Sequence, residues 1–315
     1  MRVAVTGARG FVGRFVVSEL RARGAEVLAL VSQPPLVADG ASAVVRASDA
    51  DSEEALADLL SGSNVVVHLA ACVHDVQGRT SAARFSSVNR DYSLRLARAA
   101  RRASVERFVF LSSIKVNGES STPDAPFRES SPVAPEGAYA RSKWEAEQGL
   151  RALDARLSRV IVRSPLVYGP GVRANFASLM RAVARRVPLP LGAVHNRRSL
   201  IYVENLASAL AQLALAADPS PEPRTYLVSD REDLSTPELV RRLALALGVG
   251  PRLLPVPESL LRLALSALGR REALPRLLGS LCVDAGKLSR EHDWQPPWSV
   301  EQGLAKTAAW FRGGA

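Results

Sequence analysis

Thr6-Gly-Ala-Arg-Gly-Phe-Val-Gly13 is the stretch of sequence that decides the fold, because it joins a strand-like run to a helical pattern. The residues from Val3 to Thr6 are apolar and β-prone, and those from Phe11 to Arg23 carry apolar side chains at helical spacing. Glycines between a strand and a helix are typical of the phosphate-binding turn of a dinucleotide-binding βαβ unit. The sequence therefore predicts such a unit at residues 3–23.

Each glycine of this turn has a separate task. Gly7 and Gly10 permit a tight turn and a close backbone approach to a pyrophosphate, which would lie at the positive amino end of the helix. Gly13 lets the helix and the strand pack closely. We predict that the loop supplies these cofactor-binding residues: Gly7, Arg9, Gly10, Phe11, Val12 and Gly13.

Further along the chain, short apolar runs alternate with longer helical patterns, as expected of parallel βαβ units. The predicted strands are Val3 to Thr6, Glu26 to Val31, Ala43 to Val45, Val65 to Ala70, Phe108 to Ser112 and Val160 to Val162. The predicted helices are Phe11 to Arg23, Ser52 to Leu60, Ser86 to Ala103, Tyr139 to Leu157, Glu204 to Ala216, Thr236 to Leu247, Pro257 to Leu268 and Val300 to Phe311.

This alternation ends near Pro165, where proline-rich turns begin to separate the helices. We predict an α/β fold: a Rossmann-type doubly wound parallel sheet in residues 1–165, which binds NAD(P), and a smaller C-terminal substrate-binding lobe in residues 166–315. Some segments of the lobe can return to the sheet. The leucine-rich stretch Ser259 to Leu268 fits either an interfacial helix or a core helix, and we predict the core.

Composition excludes several classes of protein. With 315 residues, 47% of them hydrophobic, the chain can bury a large core, and the apolar stretches are too short to span a bilayer. No secretion signal is visible, so we expect a cytoplasmic enzyme without membrane insertion. The net charge of +10 comes from arginines spread over nearly every helix, which does not indicate nucleic acid binding. Cys72 and Cys282 have no metal-ligand spacing, so no metal site is predicted.

Tyr139-Ala-Arg-Ser-Lys143 places a phenol and an ammonium on one helix face. A nearby cation favours the phenolate and would lower the pKa of the tyrosine, which can then exchange protons with a carbonyl or an alcohol. Only four of the 41 basic residues are lysines, and Lys143 and Lys115 are two of them. Because an ammonium is a compact charge and a guanidinium is not, a lysine retained in this chain indicates a specific role.

The end of the second predicted strand indicates the cofactor. NAD-specific units carry Asp or Glu there, which binds the adenosine 2′-hydroxyl. This chain has Leu30-Val31-Ser32-Gln33. Arg9 is a cation near the expected position of a 2′-phosphate, and Ser32 is a hydrogen-bond donor. We therefore expect NADP(H) in preference to NAD(H).

Five motifs in order resemble the extended short-chain dehydrogenase/reductase family, the NAD-dependent epimerases and dehydratases. They are Thr6 to Gly13, His68-Leu-Ala-Ala71, Leu111-Ser-Ser-Ile-Lys-Val-Asn-Gly118, Tyr139 to Lys143 and Arg163-Ser-Pro-Leu-Val-Tyr-Gly-Pro170. The resemblance covers almost the whole chain. It implies a homodimer that binds a nucleotide-sugar, most simply a UDP-sugar.

The resemblance also implies roles for individual residues. Tyr139 matches the acid/base, Lys143 the residue that binds the nicotinamide ribose, and Ser113 the hydroxyl that bonds the reacting oxygen. Arg198 matches the arginine that binds the substrate pyrophosphate, a role that Arg197 could also fill. Further positions carried over are Asp49, Ala50, Leu69, Ala70 and Ala71 for the cofactor, and Lys115 and Asn175 for the substrate.

Departures from the family pattern narrow the activity. The 4,6-dehydratases have Asp-Glu after the catalytic Ser/Thr, whereas this chain has Ile114-Lys115, so dehydration is not expected. The first interpretation is a reductase of a UDP-4-keto-6-deoxy-(N-acetyl)hexosamine in surface-polysaccharide biosynthesis. The alternative is a UDP-hexose 4-epimerase. A non-catalytic NADP-binding regulatory protein is a remote third, because Ser113, Tyr139 and Lys143 are intact.

Overall fold

The structure is a computed structural model that describes residues 1–33, 38–73, 81–217, 220–267, 269 and 274–314. Its main sheet has seven parallel strands in the order β3-β2-β1-β4-β5-β6-β9. The predicted doubly wound, Rossmann-type sheet is confirmed. The strands are β1 (Arg2–Thr6), β2 (Glu26–Val31), β3 (Ala43–Arg46), β4 (Val65–His68), β5 (Arg107–Ser113), β6 (Ser158–Ser164) and β9 (Arg224–Leu227).

Strands β1 and β4 are neighbours in the sheet, although β2 and β3 lie between them in sequence. The strand order therefore reverses between β1 and β4. Ligands of open α/β sheets bind at the carboxyl ends of the strands at such a reversal. The turn at Gly7–Gly13 follows β1 at this point. The fold therefore places the predicted phosphate-binding turn where a dinucleotide site belongs.

Helices cover both faces of the main sheet, which explains its continuous apolar strands. Helices α1 and α7 pack on one face, and α2, α4 and α5 pack on the other. The bounds of these helices, and of α3 and α6 between them, are α1 (Gly13–Ala22), α2 (Glu53–Leu60), α3 (Ala82–Phe85), α4 (Ser93–Arg102), α5 (Gly137–Arg151), α6 (Ala174–Ala184) and α7 (Val203–Leu215).

The C-terminal lobe has its own small sheet, in the order β10-β8-β7, and its own apolar cluster. Because β9 pairs with β6, one segment of residues 166–315 returns to the main sheet, and α7 also packs there. The remaining elements are β7 (Leu166–Tyr168), β8 (Arg198–Tyr202), β10 (Asp233–Leu234), α8 (Thr236–Leu247), α9 (Glu258–Ala267), α10 (Leu274–Leu277), α11 (Gly286–His292) and α12 (Val300–Gly313).

Two helices differ from their predicted bounds for local reasons. Helix α5 ends at Arg151, six residues before the predicted end, because Asp154 organises a turn in which its carboxylate accepts hydrogen bonds from Arg156 and Arg101. The predicted helix from Ser86 begins as a π-helix, Ser86–Tyr92. Such segments often occur at functional sites.

Candidate active site

The phosphate-binding turn is packed too tightly for side chains. Gly7 has φ +66°, and an added Cβ would lie 2.9 Å from the backbone nitrogen of Ala70, at the end of β4. At Gly13 an added Cβ would lie 2.0 Å from the carbonyl oxygen of Gly7. The backbone nitrogen of Gly10 donates to the same carbonyl oxygen at 2.8 Å. Glycine is therefore required at Gly7 by space and by conformation, and at Gly13 by space.

The amino end of α1 suits an anion. No side chain caps this end at Val12, and no acidic residue lies in the first turn. Helix amino ends of this kind bind phosphate through their backbone N–H groups and the helix dipole. The turn therefore fits the pyrophosphate of a dinucleotide.

Replacing Gly13 with alanine should weaken dinucleotide binding. The new Cβ would force the turn open at the Gly7 carbonyl, and overpacking typically costs about 1–3 kcal/mol, or roughly a tenfold to hundredfold rise in Kd. Titration of the protein with NADH and NADPH, followed by fluorescence, measures the change. Gly313→Ala is the matched control, because its added Cβ would meet nothing within 4 Å. Equal affinities in the two variants would contradict the assignment of the turn.

At the end of β2, the Arg9 side chain crosses from the turn, and its Nη1 donates to the carbonyl oxygen of Gln33 at 3.0 Å. Ser32 beside it is exposed. Asp49 follows β3, and its carboxylate is 2.6 Å from Nη1 of Arg84, a partner that the sequence did not indicate. Ala50 next to Asp49 is exposed. The adenosine contacts predicted for Asp49 and Ala50 stay a prediction.

The proposed proton donor lies at the carboxyl end of β5. Ser113 is the last residue of β5, and Tyr139 lies in the first turn of α5. Burial raises the pKa of Tyr139 to about 12, and the neighbouring Ser113 hydroxyl opposes that rise. The phenol is therefore neutral at physiological pH, which is the form that donates a proton. Phe85 contacts the tyrosine edge to face, with 6.2 Å between ring centroids.

Lys143 is buried one turn after Tyr139, with 2% of its surface exposed. Its Nζ donates to the carbonyl oxygen of Leu111 at 2.9 Å and lies 4.5 Å from the ring centroid of Phe110. Burial lowers the pKa of Lys143 to about 7, and the Glu147 carboxylate opposes the shift. The expected lowering of the Tyr139 pKa by Lys143 is not found, because burial sets the pKa of the tyrosine and the Lys143 ammonium donates to the Leu111 carbonyl oxygen of β5.

A buried histidine connects the turn to the π-helix. His68 is fully buried, with Nδ1 2.6 Å from Oγ1 of Thr6 and Nε2 2.8 Å from Oγ of Ser93. The Ser93 hydroxyl donates to the carbonyl oxygen of Asn89, so the Nε2–H of His68 must donate to Ser93. Burial lowers the pKa of His68 to about 3, with Lys143 adding to the effect. The histidine is therefore a neutral, fixed link.

Asn89 continues this link to the catalytic helix. Its Oδ1 accepts from the backbone nitrogen of Cys72 at 2.8 Å, and its Nδ2 donates to Oγ of Ser142 at 3.0 Å. Ser142 in turn donates to the carbonyl oxygen of Tyr139 at 2.8 Å. A continuous set of hydrogen bonds thus joins the glycine turn to α5, the helix that carries Tyr139 and Lys143.

Glu147 of α5 and Arg163 of β6 form a buried ion pair one turn after Lys143. Glu147 and Arg163 are 0% and 2% exposed at their side chains, and Arg163 Nη2 is 2.5 Å from Glu147 Oε2. Ser112 donates to Glu147 Oε1 at 2.6 Å, and Arg163 Nη1 donates to Asn117 Oδ1 at 2.9 Å. Ser112 and Ser113 therefore face opposite sides of β5. The ion pair joins α5 to β6, and the Ser112 hydroxyl joins β5 to the same carboxylate.

Lys115 and Arg198, two predicted substrate-binding residues, both interact with the carboxylate of Glu119. Arg198 Nη1 donates to the carbonyl oxygens of Pro275 at 3.0 Å and Gly279 at 2.9 Å. Burial lowers the pKa of Arg198, and Glu119 opposes that shift. Glu119 also binds Lys115, with 2.6 Å between Oε1 and Nζ. Lys115 and Arg198 therefore share a site with Glu119.

The other two substrate candidates lie apart. Arg197 pairs with Glu238 at 3.1 Å, which turns it toward α8 and favours Arg198 as the anion-binding residue. Asn175 is exposed in the first turn of α6, and in the described part of the chain no hydrogen bond or ion pair joins it to Lys115 or Arg198.

The family model described as "NAD dependent epimerase/dehydratase family" matches residues 3–229. The chain belongs to the NAD-dependent epimerase/dehydratase family. UDP-glucose 4-epimerase of Vibrio cholerae is 37% identical over 314 residues, which is 98% of this chain and 95% of that protein.

Solved structures of this family are similar throughout their length. MoeE5 in complex with UDP-glucuronic acid and NAD has a TM-score of 0.80 and 25% identity, with full coverage of both chains. The Thermus thermophilus UDP-glucose 4-epimerase complex with NAD has a TM-score of 0.77 and 26% identity, also with full coverage of both. The resemblance inferred from the five motifs is confirmed. The chain therefore has the fold of the NAD-dependent epimerase/dehydratase family.

Sequence reasoning missed three polar residues of the site: Glu119, Asn117 and Glu147. Glu147 follows Lys143 by four residues on one helix, and this spacing could have indicated that the Glu147 carboxylate lies near the Lys143 ammonium. The positions of Glu119 and Asn117 follow from the loop after β5, for which the sequence had no signal. In the part of the chain that the structure describes, no cluster of His, Cys, Asp or Glu could hold a metal ion, and no helix could cross a membrane.

The polar sequence from His74 to Ser87, which follows β4, predicts either a lid over the substrate or an ordinary loop. Its first part, residues 74–80, lies outside the described residues. Its second part forms α3, which Ser81 caps by accepting a hydrogen bond from the backbone nitrogen of Arg84. Phe85 of this helix contacts Tyr139, so α3 borders the predicted proton donor.

Proposed function

We propose that this protein is a UDP-hexose 4-epimerase that interconverts the two configurations at C4 through a 4-keto sugar. The observation that carries the proposal is the placement of Ser113 and Tyr139 together at the carboxyl end of β5, beside a turn that fits a dinucleotide. Its 37% identity to a UDP-glucose 4-epimerase over 98% of the chain supports the same activity. This proposal replaces the reductase as the first interpretation.

The residues that would hold the cofactor form one surface. The backbone of Gly7, Gly10 and Gly13 would meet the pyrophosphate, and Leu69, Ala70 and Ala71 at the end of β4 would lie along the dinucleotide. Lys143 would bind the nicotinamide ribose. The bound nicotinamide supplies the acceptor and the donor for the hydrogen at C4.

The chain itself performs the proton transfer and the positioning. Tyr139 first releases its own proton to solvent, and the resulting phenolate takes the proton of the C4 hydroxyl in the oxidation. It returns that proton to the same oxygen in the reduction. Ser113 donates a hydrogen bond to that oxygen and fixes its distance from the phenol. Arg198 binds the diphosphate, which anchors the nucleotide while the sugar turns over between the two half-reactions.

Elimination of water needs an acid that this site lacks at the expected position. Where the 4,6-dehydratases carry Asp-Glu, the chain has Ile114, which is buried, and Lys115, which pairs with Glu119. A cation held beside the substrate cannot supply the proton-transfer role of a glutamate. The site therefore favours epimerisation over dehydration.

Incubation of the purified protein with UDP-glucose tests the proposal. We expect UDP-galactose to accumulate to equilibrium, with no net change in absorbance at 340 nm, since the cofactor is regenerated in every cycle. Denaturation should release a nicotinamide dinucleotide that co-purified with the protein. Absence of any epimer from UDP-glucose and UDP-N-acetylglucosamine would contradict the proposal.

A second candidate is the NADPH-dependent 4-keto reductase, and one observation favours it. β2 ends without a carboxylate, and Arg9 donates to the Gln33 carbonyl at that point, where it could contact a 2′-phosphate. An enzyme that consumes NADPH needs such selectivity, whereas an epimerase does not. Steady loss of NADPH with a UDP-4-keto-6-deoxy-hexosamine, together with no UDP-glucose epimerisation, would favour this candidate and a role in polysaccharide biosynthesis.

The proposal includes a cytoplasmic homodimer, as the family resemblance implies. Light scattering coupled to size-exclusion chromatography measures the mass directly. A mass near that of two 33.7 kDa chains would agree with it, and a mass near one would contradict it.

A further inference from the structure

Glu119 is a carboxylate beside two cations that are predicted to bind an anion. Its Oε1 lies 2.6 Å from Nζ of Lys115, and it acts electrostatically on the guanidinium of Arg198. The Glu119 and Lys115 side chains are 27% and 39% exposed. Because so exposed an ion pair adds little to the stability of a fold, stability does not explain an acid at this position.

Residues 280–282, which we call the strap, pair with β8 at Arg198. The backbone nitrogen of Leu281 donates to the carbonyl oxygen of Arg197 at 2.8 Å, and the carbonyl oxygen of Leu281 accepts from the backbone nitrogen of Ser199 at 2.8 Å. Leu281 and Arg198 are therefore opposite each other in a parallel bridge. The strap thus fixes the backbone position of Arg198.

The opposite edge of the strap binds the loop that carries Glu119. The backbone nitrogen of Cys282 donates to Oγ of Ser121 at 2.7 Å, and that hydroxyl donates to the carbonyl oxygen of Cys282 at 2.8 Å. The backbone nitrogen of Ser121 donates to the carbonyl oxygen of Ser280 at 3.1 Å. One strap therefore supports the two backbone segments on which Glu119 and Arg198 lie, and it holds the acid and the guanidinium in one site.

Arg198 retains donors for a ligand. Its Nη1 binds the carbonyl oxygens of Pro275 and Gly279, and in the described part of the chain its Nε and Nη2 form no hydrogen bond. Arg198 and Lys115 carry two positive charges, and Glu119 cancels one of them. The site therefore attracts an anion less strongly than its two cations alone would.

We propose that Glu119 is a specificity-determining residue that competes with the substrate diphosphate for Lys115 and Arg198. The diphosphate of a UDP-sugar carries two negative charges and can displace one carboxylate, whereas an anion with a single charge gains little over Glu119. Because this competition concerns the diphosphate and not the C4 atom, it weakens the ground state and the transition state equally, and it favours release of both sugars. The inference rests on the proposed function, in which Arg198 binds the diphosphate.

Calorimetric titration with UDP tests the proposal without turnover. We expect Glu119→Gln to bind UDP about tenfold more tightly than the wild type, because the repulsion between carboxylate and diphosphate is removed, and Lys115→Gln to bind it more weakly. At constant ionic strength, thiocyanate, an anion with one charge, should compete with UDP at a lower concentration in Glu119→Gln than in the wild type. In turnover of UDP-glucose, Glu119→Gln should lower KM and should not raise kcat. If the pair served only the fold, both variants would bind UDP more weakly.

Glu19→Gln is the matched control, since Glu19 pairs with Arg23 at the same four-residue spacing on α1 and its side chain is 32% exposed. It should bind UDP like the wild type. Circular dichroism spectra should be the same for all variants, and Glu119→Ala takes the place of Glu119→Gln if the glutamine variant is unfolded. Equal or weaker UDP binding by Glu119→Gln than by the control, or no UDP binding by any of these proteins, would overturn the proposal. Tighter UDP binding without epimerisation of UDP-glucose would support the role of Glu119 and contradict the proposed reaction.

Discussion

Tyr139→Phe is expected to lower kcat by about 10²- to 10⁴-fold, the usual contribution of a positioned general acid/base. The substitution removes one oxygen and leaves the ring against Phe85. Because burial holds the phenol neutral, the hydroxyl is the group that has a proton to give, and Ser113 beside it is too weak an acid to replace it. Dinucleotide binding should stay unchanged, since the phosphate-binding turn is untouched.

Steady-state kinetics with UDP-glucose and a separate cofactor titration measure the two effects. Tyr226→Phe is the matched control. Tyr226 lies on β9, where its hydroxyl donates to Glu291 at 2.7 Å, and the variant should keep wild-type turnover. Ser113→Ala should give a smaller loss than Tyr139→Phe, because it removes a positioning hydrogen bond and leaves the acid. Turnover of Tyr139→Phe within threefold of wild type would show that another group transfers the proton.

Glu147→Gln should destabilise the fold by about 3–5 kcal/mol, because it leaves the Arg163 guanidinium charged and unpaired in the interior. Glutamine keeps the size of the side chain, so the loss reports charge and not a cavity. Lys143, which the Glu147 carboxylate helps to keep charged, should also lose part of its charge at neutral pH. Chemical denaturation measures the free energy of unfolding.

Two controls distinguish the effect of an unpaired buried charge on stability from the effect of losing any ion pair. Arg102→Ala breaks an exposed pair with Glu54 and should leave the unfolding midpoint unchanged. Glu147→Leu/Arg163→Met removes both charges and should recover much of the loss seen in Glu147→Gln. If Glu147→Gln were no less stable than Arg102→Ala, the pair would not hold β6 to α5.

The sequence predicted what local patterns encode. The glycine turn, the six strands of the amino-terminal half and the helix of Tyr139 and Lys143 each depend on spacing within about twenty residues. Their positions agree with the structure to within a few residues, except where Asp154 ends α5 early. The strand β9 and the small sheet of the lobe were missed, because their short pairings join segments far apart in the chain.

The polar contacts of the site were predicted less well for the same reason. Glu147 meets Arg163, His68 meets Thr6, and Asp49 meets Arg84 between different helices, strands and loops, and single-sequence patterns do not indicate which of these elements pack together. The pKa of Tyr139 depends on burial, which the Tyr-Lys spacing could not indicate. The exposure of Leu260 and Leu263 on α9 was missed because a leucine-rich stretch predicts a core helix even where one of its faces is exposed.

A ¹H NMR time course of UDP-glucose with the purified protein in D₂O is the decisive measurement. If the protein is a 4-epimerase, the hydrogen removed from C4 is returned to C4, and only the oxygen-bound proton at Tyr139 exchanges with solvent. UDP-galactose should therefore appear with a full-intensity H4 signal. Deuterium at C4, or no UDP-galactose while the protein holds its nicotinamide, would contradict the proposed reaction.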